Sequence, residues 1–294
     1  MEDASRTILP AYHKTGLGPS PSVTCQLRKG RCLGRFAPRL SLLYNGHETM
    51  PNPQLPIARN YRAVLRTTRM LTESTRHLEW QVAEGGRFDF LAGQFISLTL
   101  VRNGNEHTRA YSIASAPRPD GTFDICLNRV PGGLFSNYLC DLAPGAKMDF
   151  TGPHGFFVVR RPVERDIVFI ATGTGIAPIR GMLEDLFASG NAVGRDVWLL
   201  FGVRHPETIL YRDEFERLAA SHPRFHFLPA LTRPPADWPG ARGRVQEHLR
   251  AHFRGRRDVD VYICGLKAMV DDVRQILKQE FGLDRRQIHY EKYD

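Results

Sequence analysis

The spacing of hydrophobic and polar residues changes near residue 160 and divides most of the chain into two regions. Before that point, short segments alternate apolar and polar residues and are separated by Gly, Pro and Asn. This pattern predicts strands at 61–70, 77–83, 94–101, 107–114, 122–129 and 147–151, a turn at Gly85-Gly86 and one helix at 134–140. Many short strands with turn residues between them predict a small antiparallel β-barrel.

The second region alternates between buried strands and helices. Residues 167–171 form a continuous apolar run, which is typical of a strand buried on both faces of a parallel sheet. Further strands are predicted at 197–203, 225–232, 259–264 and 288–293, and helices at 176–189, 212–221, 245–253 and 267–281. Strict alternation of this kind predicts a doubly wound parallel α/β domain. The fold class is therefore β + α/β, with domains expected at 58–161 and 162–294.

Residues 1–57 show neither pattern. They are rich in Ser, Pro, Gly, Arg and Lys, and after Asp3 the only acidic residue among them is Glu48. Such a segment cannot bury enough apolar area to order itself, so we expect a disordered or spurious extension. Two explanations stay open: a transit peptide, or a stretch upstream of a true start at Met50.

The length of 294 residues suffices for two domains with separate cores. No apolar run approaches the roughly 18 residues of a membrane helix, so no membrane span is expected. The five cysteines are scattered and no secretory signal peptide is evident, which favours a reducing compartment, the cytoplasm. Cys25 and Cys32 lack a second pair to complete a zinc site, and the iron–sulfur spacing C-x4-C-x2-C is missing, so no bound metal is expected.

The formal net charge of +9 predicts a surface that attracts anions at low salt. Lys and Arg are spread over both regions, without a helix-turn-helix pattern or a basic block rich in aromatic residues, so nucleic acid is not an expected partner. A basic protein without a charged partner and a protein with an acidic partner both agree with this charge.

Two glycine-containing segments mark the expected carboxyl edge of the parallel sheet. Gly173-Thr174-Gly175 lies between a buried strand and a helix, where backbone N–H groups and the helix N-terminus favour a phosphate. Ala177 and Pro178 follow, so the segment is not the G-x-G-x-x-G fingerprint. Cys264-Gly265 ends another strand at the edge where ligands of open α/β sheets bind, although a lone Cys is ordinarily a small buried apolar residue.

Three further motifs carry polar and aromatic groups. Arg109-Ala110-Tyr111-Ser112 lies on a predicted barrel strand, whose alternation puts Arg109 and Tyr111 on one face and Ser112 on the other. Gly132-Gly133 precedes the predicted helix, and Ser136 lies near the start of that helix as a candidate phosphate contact or N-cap. Glu291 and Tyr293 lie two residues apart on the last predicted strand.

In this order along the chain, these motifs resemble those of the plant-type ferredoxin–NADP reductase family, and the match runs from about Tyr61 to Asp294. The resemblance implies FAD in the barrel and NADP in the α/β domain. It implies that Tyr111 packs on the flavin ring and that Ser112 hydrogen-bonds near its N5 atom. The flavin pyrophosphate would be held by Arg109, Gly132, Gly133 and Ser136.

The resemblance also implies a catalytic set at the two rings. Beside Ser112, Cys264 would pack by the nicotinamide C4 atom, Glu291 would assist at the flavin, and Tyr293 would cover the ring and gate the nicotinamide. The nucleotide would be bound by Gly173, Thr174, Gly175 and Gly265. The chain departs from the family in two ways: Asp294 follows the aromatic residue, and residues 128–133 offer no aromatic for the flavin adenine. The choice of FAD over FMN therefore stays open.

Three arginines favour NADP over NAD. Arg204 and Arg233 follow the second and third predicted strands of the α/β region, and Arg244 lies eleven residues after Arg233. They resemble family positions around the 2′-phosphate, and no acidic residue is placed to bind a ribose 2′-hydroxyl instead. Arginine is common in this chain, so each of the three is also compatible with an ordinary surface position.

The function implied by the resemblance is that of a ferredoxin or flavodoxin–NADP reductase. Hydride would pass between NADP(H) and FAD, and single electrons would pass to or from an acidic ferredoxin or flavodoxin. The enzyme is expected to be a monomer. Two alternatives stay open: the reductase component of a multicomponent oxygenase using NAD(P)H, which usually carries a fused ferredoxin domain, and a non-enzymatic binding protein that retains the fold.

Overall fold

The computed structural model describes residues 55–83, 86–192 and 194–293. Residues 1–54, which include Cys25 and Cys32, lie outside the described residues, as do Gly85 and Asp294. The predictions made for them are therefore not tested by the structure.

The first region folds into a curled antiparallel sheet. Its six strands are β1 (Arg59–Met70), β2 (Thr75–Val82), β3 (Phe95–Arg102), β4 (Asn105–Ser112), β5 (Thr122–Asn128) and β6 (Lys147–His154), in the order β4-β3-β6-β1-β2-β5. Just beyond β4, Ile113 bridges to Ile125, and the Ala114 N–H donates to the Asp124 carbonyl oxygen at 2.7 Å. The first and last strands of the order therefore approach each other, and the predicted antiparallel barrel is confirmed.

Alternate barrel residues point inward and form an aromatic core. The Phe88 ring lies about 5 Å from the rings of Tyr61 and Phe150, at centroid distances of 4.9 Å and 5.2 Å. Helix α1 (Leu134–Asp141) adds Phe135 and Leu139 to the same core. Burying each large apolar side chain stabilises the fold by about 1.5–3 kcal/mol, so this core gives the strand that carries Ser112 a firm support.

The second region folds into a parallel sheet of six strands. They are β7 (Asp166–Thr172), β8 (Val197–Val203), β9 (Phe225–Leu231), β10 (Ala241–Arg242), β11 (Val259–Leu266) and β12 (Ile288–Tyr293). The helices are α2 (Ile176–Ala188), α3 (Arg212–Ser221), α4 (Val245–Phe253) and α5 (Lys267–Gln275), which continues as a π-helical turn (Ile276–Glu280). Within the described ranges, no helix is long and apolar enough to cross a membrane.

Helices cover both faces of this sheet. Apolar residues of α2 and α3 share one core cluster with the sheet, and those of α4 and α5 share another. The predicted doubly wound α/β fold is thereby confirmed. Strand β10 was not predicted, because two residues are too short to show a period.

The strand order is β10-β9-β8-β7-β11-β12. Strands β8, β9 and β10 therefore follow one another on one side of β7, and β11 and β12 lie on its other side. Neighbouring strands whose connections leave in opposite directions open a crevice at their carboxyl ends, where ligands of such sheets bind. Ala171 of β7 pairs with Cys264 of β11 at this point. The crevice therefore lies between Gly173–Gly175 and Cys264-Gly265.

Candidate functional site

Hydrogen bonds link the end of barrel strand β4 to the last strand of the parallel sheet. The Ser112 hydroxyl donates to Glu291 Oε1 at 3.2 Å, and the Tyr293 hydroxyl donates to Ser112 Oγ at 2.5 Å. Tyr293 also packs against the core cluster that contains Cys264. The four side chains expected to be catalytic are therefore brought together, although they come from distant parts of the sequence.

Strand register and two glycines produce this convergence. In the parallel pairing of β11 and β12, Cys264 lies opposite Glu291. Gly265 has φ +143°, and a Cβ there would lie 2.3 Å from the Thr172 Oγ1 atom. A Cβ on Gly175 would lie 2.4 Å from the Cys264 carbonyl oxygen. Glycine is required at both positions so that the loop after β7 can approach the end of β11.

Burial raises the pKa of three side chains in this group. It raises the pKa of the Cys264 thiol well above its ordinary value, and the nearby Glu291 charge adds to the shift. Burial also raises the pKa of the Tyr293 phenol, and that of the Glu291 carboxyl despite its hydrogen bond from Ser112. The thiol and the phenol are therefore neutral donors at neutral pH, and the carboxyl holds a proton more strongly than an exposed one would.

Arg109 and Tyr111 lie on the same barrel strand as Ser112. The Arg109 side chain is exposed, and its Nη1 donates to the Thr108 carbonyl oxygen at 2.9 Å. Tyr111 is half-buried against the barrel core, and burial raises its pKa to about 12. The strand thus presents an exposed positive charge and an aromatic ring close to Ser112.

The Gly132-Gly133 segment leads into α1. Gly133 is the N-cap and the helix begins at Leu134, so Ser136 lies in the first turn and is not the cap. The Ser136 hydroxyl accepts a hydrogen bond from the Val130 N–H at 3.1 Å. Gly132 has φ +71° and faces open space. The first-turn N–H groups of a helix lack intrahelical partners, so this segment offers donors to an anion.

Gly173–Gly175 forms one turn of 3-10 helix ahead of α2. Gly173 has φ +54° and also faces open space, while Thr174 is half-buried. The backbone of this turn is therefore accessible immediately before the N-terminus of α2.

The three arginines expected around a 2′-phosphate all lie beyond the carboxyl ends of parallel strands. Arg204 follows β8 and Arg233 follows β9, and the Arg233 N–H donates to the Arg204 carbonyl oxygen at 2.9 Å. Arg244 is the N-cap of α4. All three are exposed, and within the described part of the chain none of their guanidinium groups forms an ion pair.

Arg242 is a residue of this edge that the sequence reasoning missed. Its Nη2 donates to the carbonyl oxygens of Pro235, Ala236 and Trp238 at 3.2, 2.8 and 2.9 Å. It therefore holds together the loop that runs from Arg233 to β10. No sequence signal marks this role, because the partners are backbone groups that every residue carries.

Comparisons with known proteins agree with this arrangement. The model of the oxidoreductase FAD-binding domain matches residues 62–159, and that of the oxidoreductase NAD-binding domain matches residues 169–275. Ferredoxin–NADP reductase B of Sorangium cellulosum is 41% identical over 81% of this chain and 99% of that protein. The chain belongs to the ferredoxin–NADP reductase family. The resemblance drawn from the motifs is thereby confirmed, and the protein is an oxidoreductase with FAD-binding and NAD-binding domains.

Other members of the family are also similar. The electron transfer component of toluate 1,2-dioxygenase from Pseudomonas putida is 32% identical, over 79% of this chain and 67% of that protein. The solved structure of the Amycolatopsis cytochrome P450 reductase GcoB superposes with a TM-score of 0.72 at 29% identity, over 81% of this chain and 71% of that one. This chain therefore spans about two thirds of the length of each.

The residues present fit a flavin and a dinucleotide. Each group carries an anionic pyrophosphate, and the protein offers a glycine segment at a helix N-terminus in each region, Gly132-Gly133 and Gly173–Gly175. The hydrogen-bonding side chains Ser112, Glu291 and Tyr293 converge between the two regions, where the flavin and nicotinamide rings would meet.

Proposed function

We propose that this reductase passes hydride between NADP(H) and FAD and exchanges single electrons with a separate ferredoxin or flavodoxin. The observation that carries the proposal is the direct contact of Ser112, on the flavin-binding side, with Glu291 and Tyr293, on the nucleotide-binding side. When bound, the flavin supplies the chemistry that couples a two-electron donor to one-electron partners.

The proposed roles of the four central side chains follow from their contacts. Ser112 orients the ring edge through its hydroxyl, and this hydroxyl gains a free hydrogen-bonding position whenever Tyr293 moves away. Glu291 accepts the hydrogen bond from Ser112, and burial raises the pKa of its carboxyl, so that it takes up a proton at higher pH than an exposed carboxyl does. Cys264 places a neutral thiol beside the nicotinamide, and Tyr293 covers the site and excludes water until the nicotinamide displaces it.

The proposed cofactor contacts lie at the two glycine segments. Gly132, Gly133 and the Ser136 hydroxyl, with the exposed Arg109, would hold the flavin pyrophosphate, and Tyr111 would support the ring. Backbone N–H groups of Gly173-Thr174-Gly175 would hold the nucleotide pyrophosphate. Gly265 would let the chain pass close to the nicotinamide without a side chain in the way.

The preference for NADPH, the partner and the compartment are also part of the proposal. Arg204, Arg233 and Arg244 are exposed guanidinium groups without a carboxylate partner among the described residues, as a site for a 2′-phosphate requires. The net charge of +9 suits an acidic protein partner. Three buried free cysteines support a reducing compartment such as the cytoplasm.

The similarity to an electron transfer component of a dioxygenase supports a second candidate, a reductase that serves a multicomponent oxygenase. Purified protein with bound flavin separates the two. It should oxidise NADPH with a higher kcat/KM than NADH and should reduce a ferredoxin or flavodoxin faster than an oxygenase. Faster oxidation of NADH, together with reduction of the oxygenase alone, would favour the second candidate.

Arg233→Ala tests the nucleotide assignment. A charge-assisted hydrogen bond contributes about 1.5–3 kcal/mol, and the exposed position of Arg233 favours the lower value. The ratio of kcat/KM for NADPH to that for NADH should therefore fall about tenfold. Arg250→Ala, which removes an equally exposed arginine that pairs with Glu280 at 2.6 Å, is the control and should leave the ratio unchanged. Equal losses for both nucleotides in Arg233→Ala would exclude the 2′-phosphate role.

A further inference from the structure

A group of charged residues with a buried centre lies between the barrel and helices α2 and α3. We call it the Arg180 cluster; it consists of Arg118, Asp124, Arg180, Glu184 and Glu214. Asp124 belongs to barrel strand β5, Arg180 and Glu184 belong to α2, and Glu214 belongs to α3. The Asp124 side chain is 2% exposed and that of Arg180 is 9% exposed. None of these residues takes part in the site proposed above.

Every nitrogen of the Arg180 guanidinium has a partner. Nη1 donates to the Ala114 carbonyl oxygen at 2.6 Å and to Asp124 Oδ2 at 3.0 Å. Nη2 pairs with Glu184 at 2.7 Å, and Nε pairs with Glu214 at 2.8 Å. The planar fork of arginine fits such a set of partners, whereas the single ammonium of lysine does not.

These contacts fasten the segment that follows Ser112. The Ala116 N–H donates to Glu184 Oε2 at 2.9 Å, and the Asp124 N–H donates to the Ser115 hydroxyl at 3.1 Å. The backbone of α2 lies directly against the segment, because a Cβ on Gly181 would lie 2.5 Å from the Ser115 carbonyl oxygen. Residues 113–116 are therefore held between the barrel and α2.

The same helix begins directly after Gly173–Gly175, the segment proposed to bind the nucleotide pyrophosphate. One arginine thus connects the strand end that carries Ser112 with the helix that carries the nucleotide loop. The distance from Arg180 to Gly175 along the helix is about one and a half turns, or roughly 7–8 Å. Movement at Arg180 would be transmitted to both sides of the crevice.

The charge balance makes Arg180 difficult to replace. Two arginines face three carboxylates in the cluster. The nearby His77 adds no charge at neutral pH, since burial lowers its pKa to about 4. Without Arg180, Asp124 on the barrel and Glu184 and Glu214 on the helices would repel each other across the boundary.

We propose that Arg180 is a positioning residue that sets the separation between Ser112 and the nucleotide-binding loop. The inference rests on the proposed function, in which the flavin ring lies at Ser112 and the nicotinamide lies at Cys264. A displacement of about 1 Å between reacting groups can cost up to about a hundredfold in rate. Arg180 therefore acts on the transfer step itself and not on the affinity for either cofactor.

The experiment compares Arg180→Gln and Arg180→Lys with the wild type and with Arg118→Gln. The control removes a pair of hydrogen bonds to the same carboxylate, at 3.0 and 2.7 Å, and a longer ion pair to Glu184 at 3.8 Å, but it leaves all partners of Arg180 in place. Stopped-flow absorbance measures the rate of flavin reduction, and steady-state kinetics gives KM for NADPH. Hydrogen exchange of the Ala116 amide in flavin-free protein reports the attachment of the segment independently of activity.

We expect Arg180→Gln to retain its flavin and to have the same KM for NADPH as the wild type. Its flavin should be reduced by NADPH about tenfold more slowly, and its Ala116 amide should exchange about tenfold faster. Arg180→Lys should lie between this variant and the wild type, and Arg118→Gln should slow the transfer much less than Arg180→Gln, because the contacts of Arg180 with Ala114, Asp124, Glu184 and Glu214 remain. An unchanged transfer rate in Arg180→Gln would overturn the proposal. Loss of folding in both Arg180 variants would also overturn it, because the role would then be stabilisation alone.

Failure of the proposed function is distinguishable from failure of this inference. If neither NADPH nor NADH reduces the bound flavin of the wild-type protein, the proposed function is wrong. Unchanged exchange of the Ala116 amide in Arg180→Gln would overturn the inference whatever the activity of the wild type.

Discussion

Glu291→Gln is expected to slow flavin reduction by NADPH about a hundredfold, because a positioned acid contributes roughly that much or more to proton-coupled steps. The substitution keeps the shape of the side chain, and the amide oxygen can still accept the hydrogen bond from Ser112 that spans 3.2 Å in the wild type. The substitution replaces the ionisable carboxyl with an amide, which neither gains nor loses a proton in the accessible pH range. A stopped-flow measurement of flavin reduction in the two proteins gives the ratio directly.

The same variant should gain stability relative to the wild type as pH rises. Burial raises the pKa of Glu291 above that of the unfolded chain. The stability linked to its proton is complete below the unfolded pKa of about 4.3 and is lost as pH rises through the raised folded value. The amide of the variant does not ionise, so the difference in melting temperature between variant and wild type should grow as pH rises above the unfolded pKa of about 4.3.

Asp260→Asn is a matched control for Glu291→Gln. Asp260 is also a buried carboxyl with a raised pKa, but it lies near the start of β11, at the opposite end of that strand from Cys264. Its replacement should change the pH dependence of stability and leave the rate of flavin reduction unaltered. If both variants reduce flavin at the wild-type rate, Glu291 has no catalytic part in the reaction.

The sequence predicted the elements well because each depends on local spacing. The apolar run at β7 and the alternation along the barrel strands are properties of five to ten neighbouring residues, and the observed bounds agree closely with the predicted ones. The two glycine segments were placed for the same reason. By contrast, β10 comprises two residues, Ala241–Arg242, and contains no repeat from which a strand could be recognised.

The Arg180 cluster shows why the rest could not be predicted. Arg180 is separated from Asp124 by 56 residues and from Glu214 by 34. A helical pattern in which Arg180 follows Ile179 shows only that an arginine interrupts an apolar face. Its burial becomes intelligible once three carboxylates from different elements surround it, which is a property of the tertiary fold.

The central site could be predicted only in part from the sequence. It consists of Ser112, Cys264, Glu291 and Tyr293. Ordinary spacing placed each of them at the end of a strand, yet only the resemblance to a family implied that these ends meet. The structure supplies the physical cause, since the register of β11 on β12 and the glycines at 175 and 265 bring the strand ends into contact.

Tyr293→Ser is expected to raise the affinity for NAD(H) by up to about a hundredfold and the affinity for NADP(H) less. In the structure the Tyr293 hydroxyl is bonded to Ser112 and the ring packs near Cys264, which is the place proposed for the nicotinamide. Productive binding must displace this ring. Tyr293 is half-buried, and displacing a fully buried side chain of its size would cost about 1.5–3 kcal/mol, so its absence returns at most about a hundredfold in affinity. NADH depends more on the ring pocket, since it lacks the phosphate anchor of NADPH.

Tyr290→Ser is the control for this variant. Tyr290 lies three residues earlier on the same strand, is 42% exposed and stacks on Arg274 at 3.7 Å, so its loss should leave the affinity for both nucleotides unchanged. Titration of each protein with NAD⁺ and NADP⁺, followed by difference absorbance of the flavin, measures the affinities.

In Tyr293→Ser, kcat should fall while the affinity for the nucleotides rises. A nicotinamide that no longer competes with an aromatic ring leaves the site slowly, so kcat with NADPH should fall although binding becomes tighter. An interaction that stabilises the bound substrate and the transition state equally does not raise kcat. Some loss of flavin is also expected, because a stacked ring contributes about 0.5–1.5 kcal/mol beyond the area that it buries. If the affinities and kcat values for both nucleotides are unchanged in Tyr293→Ser, the Tyr293 ring does not occupy the place of the nicotinamide.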